Sequence, residues 1–298
     1  MVSPRLFALY IRIVICEIDK TNIGARVKNL IINILLYADD IILVAFSKAC
    51  LQKLLDIVSN FGKNREIKFN PDKSVAMVFD YDKQKKNKKD AVLNPLRLNG
   101  EPIPVVNSMR YLGIFINENG NNTTHLDTKI SAAWKRLSEL SRIGIYSHEV
   151  HPIMKGQIYQ TMIRPIILHG SEIMNYNVGE KRKIRTAEGL MLKEALGIHK
   201  LCHSTELFAA LKIKDTDLLL DYNKCSLFTR LIENAYTVQL MNNIIPSLPK
   251  PRKRLLTTTS YFEELFKIIS IEYDESKNKY IWNEQIVLQK CHERRKNK

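Results

Sequence analysis

Between Ile31 and Phe46 the chain reads IINILLYADDIILVAF, two short apolar runs flanking Tyr37-Ala38-Asp39-Asp40. Each run is rich in Ile, Leu and Val, which predicts a pair of buried strands joined by a tight turn. Upstream, Ser3 as an N-cap and Pro4 at the first helical position predict a helix over 4–18. Downstream, Ser47 caps a helix whose apolar positions Leu51, Leu54, Leu55, Val58 and Phe61 follow helical spacing, with Gly62 placed to end it. Residues 74–79 and Arg110–Ile116 read as further strands. Leu96–Val106 alternates around Asn99-Gly100, a strong short-range hairpin signal. Sequential strands with a packed helix give an α+β layer.

From Leu126 the period changes. Leu126, Ile130, Ala133, Leu137 and Leu140 recur at three and four residues, one face of a helix. Further helices are predicted over 151–164, 166–176, 180–196, 204–211 and 215–241. Pro246-Ser247-Leu248-Pro249-Lys250-Pro251-Arg252-Lys253-Arg254 reads as a linker. One or two amphipathic helices and a basic tail, Arg294–Lys298, close the chain. No internal repeat is present.

Composition narrows the partner. The chain has 298 residues, enough for two domains, and its 45% hydrophobic content argues for a folded protein rather than a basic tail. With 46 Lys and Arg against 31 Asp and Glu, the net charge of +15 favours a polyanion, nucleic acid before an anionic membrane. Lys83–Lys89, KQKKNKK, reads as a solvated loop or, alternatively, as phosphate-contacting.

Five scattered cysteines without a C-x-x-C pair fit free thiols in a reducing compartment. Cys202-His203 and Cys291-His292 lack the further ligands of a zinc set. Leu6–Ile18 is apolar but interrupted by Arg12, a poor secretory signal. No run is long enough to span a membrane. These features predict a soluble intracellular protein, with Pro249–Arg254 a candidate nuclear localisation signal.

The adjacent carboxylates Asp39 and Asp40 have two readings. They are ordinary turn residues, as Asp often is. Alternatively, they form a Mg²⁺ platform, because neighbouring carboxylates repel unless a cation sits with them and Mg²⁺ takes hard oxygen ligands.

Tyr-Ala-Asp-Asp between apolar strands resembles the catalytic hairpin of reverse transcriptases, and the resemblance continues both ways. Ser3–Tyr10 is similar to the segment after that family's glycine-containing template-contacting motif. Asn70-Pro71-Asp72-Lys73-Ser74, Leu98-Asn99-Gly100 and Arg110-Tyr111-Leu112-Gly113-Ile114 resemble later palm motifs of LINE-type (non-long-terminal-repeat) retrotransposon reverse transcriptases. Pro165, His169-Gly170-Ser171-Glu172 and Arg185-Thr186-Ala187-Glu188 through Leu196-Gly197 resemble the helical region after the palm. The resemblance covers about the first two-thirds of the chain.

The resemblance implies a partial polymerase palm over 1–118, a helical thumb-like region over 119–242, and a basic linker with carboxy-terminal helices over 243–298. It implies an RNA template and DNA primer as partners, and two-metal nucleotidyl transfer with Mg²⁺, or Mn²⁺ in its place. Asp39 would be a metal ligand and Asp40 would support it. Tyr37 would pack near the primer end, and Tyr111, Leu112 and Gly113 would support the primer. Lys73 would lie near the triphosphate, where it could protonate the leaving pyrophosphate; as a residue it also reads as a surface lysine beside a turn. Gly113 likewise reads as an ordinary close-packed strand glycine.

Set against the family it resembles, the sequence is expected to lack almost everything before the Tyr37–Asp40 hairpin. By that expectation the Gln-Gly part of the template-contacting motif, the strand bearing the other metal-binding Asp, the fingers and any endonuclease are missing. Asp19 is the only upstream aspartate and lies in a polar segment. Met174 stands where the family's helical motif usually has an aromatic. The expectation is weak Mg²⁺ binding and no polymerisation by this polypeptide alone. The alternative is a non-catalytic, basic nucleic-acid-binding remnant.

Overall fold

The computed structural model describes residues 3–79, 95–118, 120, 122–245 and single positions and short stretches between 262 and 293. The Lys83–Lys89 run, the Pro246–Arg254 segment, Cys291 and the tail from 294 lie outside the described residues. The class is α+β. The chain forms two compact units, one of residues 1–109 and 117–119, the other of 110–116 and 120–298.

In the first unit, α1 (Ser3–Asp19) is followed by two hairpins, β1 (Ala25–Val27) with β2 (Leu30–Ile32) and β3 (Ile34–Tyr37) with β4 (Asp40–Leu43). Next comes α2 (Lys48–Asn64). Ser47 caps α2 by accepting from the Cys50 N–H at 3.2 Å. Ile11, Val14 and Ile18 of α1 bury against Leu54, Val58 and Phe61 of α2, with Ile34, Leu36 and Leu43 packed alongside. The amphipathic pattern of both helices thus produces the core on which the β3–β4 hairpin rests.

Gly62 does not end α2. The helix continues to Asn64, and the Gly62 carbonyl accepts from the N–H groups of Arg65 and Ile67 at 3.3 and 3.0 Å. The glycine is there because the chain folds back onto it. A Cβ would lie 2.8 Å from both the Ile67 carbonyl oxygen and the Phe69 ring.

The strand expected over 74–79 reduces to one parallel bridge, Ala76 with Val105. The hairpin expected at Asn99-Gly100 forms between β5 (Arg97–Leu98) and β6 (Glu101–Pro102), with both turn residues at positive φ. Residues 110–116 make two strands rather than one. β7 (Ser108–Tyr111) and β8 (Ile114–Asn117) pair across a Leu112-Gly113 turn at φ +48° and +78°. Two successive left-handed residues reverse the chain where a continuous strand was expected.

The second unit is helical. α3 (Thr123–Arg142) buries Leu126, Ala133, Leu137 and Leu140, the face its periodicity defines. α4 (Pro152–Ile158), a π-type turn (Tyr159–Ile163) and α5 (Arg164–Leu168) follow without a break. α6 (Val178–Leu196) starts from a complete capping box between Asn177 and Glu180 and ends at Gly197 with φ +68°. α7 (Ser204–Ala210), α8 (Thr216–Glu233) and α9 (Ala235–Ile244) follow. Two two-residue strands, β9 (Tyr273–Asp274) and β10 (Lys279–Tyr280), pair further on.

Two helix expectations change. The 166–176 helix stops at Leu168, because Gly170 turns the chain at φ +80° and packs against Ile114 and His125. The 215–241 helix breaks at Asn234, whose extended backbone and side-chain oxygen cap α9 through the N–H groups of Tyr236 and Thr237. Among the described residues, no helix is long and apolar enough to cross a membrane.

Candidate functional site

The β3–β4 register pairs Ile34 with Leu43, Leu35 with Ile42, Leu36 with Ile41 and Tyr37 with Asp40. Directly opposed residues share a sheet face. Ile34, Leu36, Ile41 and Leu43 therefore share one face, and Ile34, Leu36 and Leu43 pack on the α1–α2 core. Leu35, Tyr37, Asp40 and Ile42 share the other, where Leu35 is 46% and Tyr37 60% exposed. Asp40 is thus the first residue of β4, opposite Tyr37, and the turn itself is Ala38-Asp39.

Ala38 has φ +51°, the left-handed region that costs an L-residue with a Cβ about 1–2 kcal/mol. The two-residue reversal demands that conformation, and it sets Asp39 at the tip. Both carboxylates are exposed, and neither has a hydrogen-bond or ion-pair partner among the described residues.

Asn33 holds the base of this hairpin, a role the sequence signals only as a polar residue interrupting an apolar run. Its carbonyl accepts from the Val44 N–H at 2.8 Å, and its buried amide donates to Asp19 Oδ1 at 2.9 Å. Asp19 is therefore the last residue of α1 and already engaged. Among the described residues no group of three or more His, Cys, Asp or Glu side chains converges as a metal site. Two free, adjacent hard-oxygen donors fit Mg²⁺ as a partial set, the remainder being water and substrate phosphate.

Lys73 is exposed on a different segment of the same unit. It closes a 3₁₀ turn, Pro71–Lys73, in which Asn70 Oδ1 accepts from the Asp72 N–H at 2.9 Å and Ser74 Oγ donates to the Asn70 carbonyl at 2.8 Å. Tyr111, Leu112 and Gly113 belong to the second unit. There Gly113 is a turn residue, and a Cβ on it would stand 3.2 Å from His169 Cε1.

Residues 1–116 match the family model described as reverse transcriptase (RNA-dependent DNA polymerase). The reverse-transcriptase match takes in the β3–β4 hairpin, Lys73 and the Leu112-Gly113 turn. The α+β layer of short antiparallel hairpins and packed helices is consistent with a partial reverse-transcriptase palm, followed by a helical region. The family's substrates are nucleic acids. Comparison with curated proteins gave no match.

The sequence did not mark His125, which is fully buried in α3. Its Nδ1 accepts from the Phe115 N–H at 3.3 Å, and its Nε2 lies 3.0 Å from the His169 carbonyl oxygen. Neutral imidazole protonated on Nε2 satisfies both contacts. Burial, and then the charges of Lys129 and His169, hold its pKa below the usual 6.5 despite the opposing effect of the bond to His169. Burial, and then Arg110, likewise lower that of Lys129. A histidine inside an apolar helical stripe reads as a polar interruption and gives no local sign of this bridge.

Proposed function

We propose that this chain is part of a LINE-type reverse transcriptase, an RNA-directed DNA polymerase, with residues 1–118 its partial palm and 119–242 a thumb-like region. The observation that carries the reading is the pair of unpartnered carboxylates inside the matched segment, Asp39 at the tip of a strained two-residue turn and Asp40 on the first position of the strand that leaves it. Asp39 and Asp40 would hold Mg²⁺ or Mn²⁺. When bound, the metal stabilises negative charge on the attacking and leaving oxygens of an in-line displacement.

In that reaction the primer 3′-hydroxyl gives up its proton to water as its oxygen bonds to the α-phosphorus of a deoxynucleoside triphosphate. The bond to the bridging oxygen breaks and pyrophosphate leaves. Lys73, a primary ammonium on an exposed turn, is the candidate donor of a proton to that leaving group. Tyr37, on the same sheet face as Asp40, offers an exposed ring for packing at the primer end. Tyr111, Leu112 and Gly113 are the candidate primer support. Two carboxylates without a third bind a divalent cation weakly, so the described residues alone do not sustain polymerisation.

The test is metal binding and primer extension on the same protein. Mn²⁺ titration is expected to show weak binding that is lost in Asp39→Asn. Primer extension on an RNA template with Mg²⁺ or Mn²⁺ is expected to give no incorporation. Equal Mn²⁺ affinity in the wild type and in the Asp39→Asn/Asp40→Asn double variant would overturn the assignment. The net charge of +15 favours a second reading, a non-catalytic nucleic-acid-binding protein. Salt-sensitive RNA binding with no metal dependence at all would select it.

A further inference from the structure

A shallow groove of about 390 Å³ lies between α3 and α6 in the second unit. On α3, Ile130 and Trp134 sit one helical turn apart and both line it. On α6, Arg182, Lys183, Thr186 and Leu190 follow three- and four-residue spacing and line the facing side. The groove therefore combines an indole, aliphatic carbons and two cations.

Trp134 is half-buried against the main core, and its indole makes no hydrogen bond among the described residues. Arg182 is exposed and has no ion-pair partner among the described residues. Lys183 is held at the groove edge by an ion pair with Asp127 of α3. The segment Lys181–Arg185, KRKIR, crowds four cations into five residues close to the amino-terminal end of α6. That end of a helix already carries positive partial charge, so cations there oppose helix stability. Within the fold, Asp127 answers Lys183 and Asp217 answers Arg185, so Arg182 is the groove-lining cation with no ion-pair partner among the described residues and the one open to an external anion.

Phosphates answer the cations, and a flat apolar face answers the indole. A duplex hides its base faces in the stack, an acidic peptide has no ring in every unit, and a lipid headgroup offers no flat ring to stack on the indole. An unpaired nucleotide supplies both, by the combination of stacking platform and basic flank that holds single strands. We propose that the α3–α6 groove binds single-stranded nucleic acid, with one base stacked on Trp134 and the adjoining phosphate on Arg182 and Lys183. The proposal takes from the proposed function only the class of partner; it does not depend on Asp39 or Asp40.

The experiment is fluorescence anisotropy of a labelled oligo(U) strand with the full chain, at two salt concentrations. The competitors are a duplex of equal length and poly-glutamate. Trp134→Ala is expected to weaken single-strand binding about tenfold, while Trp134→Phe restores most of it and duplex binding changes less than twofold. Arg182→Ala is expected to lower the salt slope by about 0.7.

Single-strand binding within twofold of wild type in Trp134→Ala overturns the proposal. So does an equal loss of duplex binding, or poly-glutamate competing as well as oligo(U). If Trp134→Ala melts below the assay temperature, Arg182→Ala decides, and an unchanged affinity and salt slope overturn it. The metal titration and the oligo(U) binding are separate measurements on the same wild-type chain. Failure of the metal titration with this binding intact therefore removes the polymerase reading alone, and the converse removes the groove alone.

Discussion

Arg164 Nε donates to Glu188 Oε1 at 2.7 Å with both side chains sealed from water. The same carboxylate accepts from the Tyr159 hydroxyl at 3.1 Å and, on Oε2, from the Thr216 hydroxyl. The guanidinium also reaches the Lys214 carbonyl oxygen at 2.7 Å. Burying two charges is costly, and a fully hydrogen-bonded geometry is what makes it tolerable. The network joins the π-type turn, α5, α6 and the start of α8. Glu188 also pushes the Tyr159 phenol well above 10, after burial as the larger cause.

Glu188→Ala removes the only carboxylate in this network and strands a buried guanidinium. The expected loss is about 3–5 kcal/mol, read as a large fall in the urea midpoint. An apolar replacement of both partners, Arg164→Met with Glu188→Leu, is expected to recover most of it. A double variant no better than Glu188→Ala would show that the hydrogen bonds, not the isolated charge, set the cost.

Gly62 gives a sign test. Glycine to alanine in a helix interior ordinarily gains about 1 kcal/mol. Here the new methyl meets a backbone oxygen and an aromatic ring, each at 2.8 Å. Gly62→Ala is therefore expected to destabilise the first unit, by about 1–3 kcal/mol. A rise in the urea midpoint would contradict the close approach of Phe69.

Much of this architecture is legible locally, and the exceptions have physical causes. The β3–β4 hairpin follows from two short apolar runs around a turn, and α3 from its helical period. Gly62 reads as a helix stop because a terminating glycine and a close-packed one look identical until the returning chain is placed. The break at Asn234 is masked because Phe228 and Ile232 before it and Met241 and Ile245 after it feed one core cluster. Glu188 gives no local sign of its burial, since its partners lie 24 to 29 residues away. At the candidate site, the Asp39-Asp40 pair is visible at once. Only the register shows that Asp40 opens a strand while Asp39 stands at the tip.

Ala38 tests the strain at that tip. Glycine adopts the left-handed region without steric cost, though it loses more entropy on folding. Relief of about 1–2 kcal/mol against roughly 0.5–1 kcal/mol leaves a net gain below about 1.5 kcal/mol. Ala38→Gly is expected to raise the urea midpoint slightly, and Ala38→Val to lower it, because a β-branched residue tolerates positive φ worst. If Ala38→Gly destabilises, the turn is not strained and the placement of Asp39 has another cause.

His125 makes the second unit acid-sensitive. Protonating Nδ1 turns the acceptor for the Phe115 N–H into a second donor facing it. It also adds a buried charge near Lys129 and His169, with Arg110 beyond Lys129. The folded pKa lies below the 6.5 of the unfolded chain. Below that value the unfolded chain takes up a proton that the folded chain refuses. This contribution is therefore fully present above the unfolded pKa and is lost as the pH falls toward the lower, folded one. Thermal unfolding from about pH 7 to about pH 5 is expected to show Tm falling with acid. In His125→Asn, which keeps an acceptor near Nδ1 but has no titrating ring, Tm is expected to start lower and fall less. The same acid slope in both proteins would assign the effect to other groups and remove His125 as the proton-sensitive bridge between β8 and the end of α5.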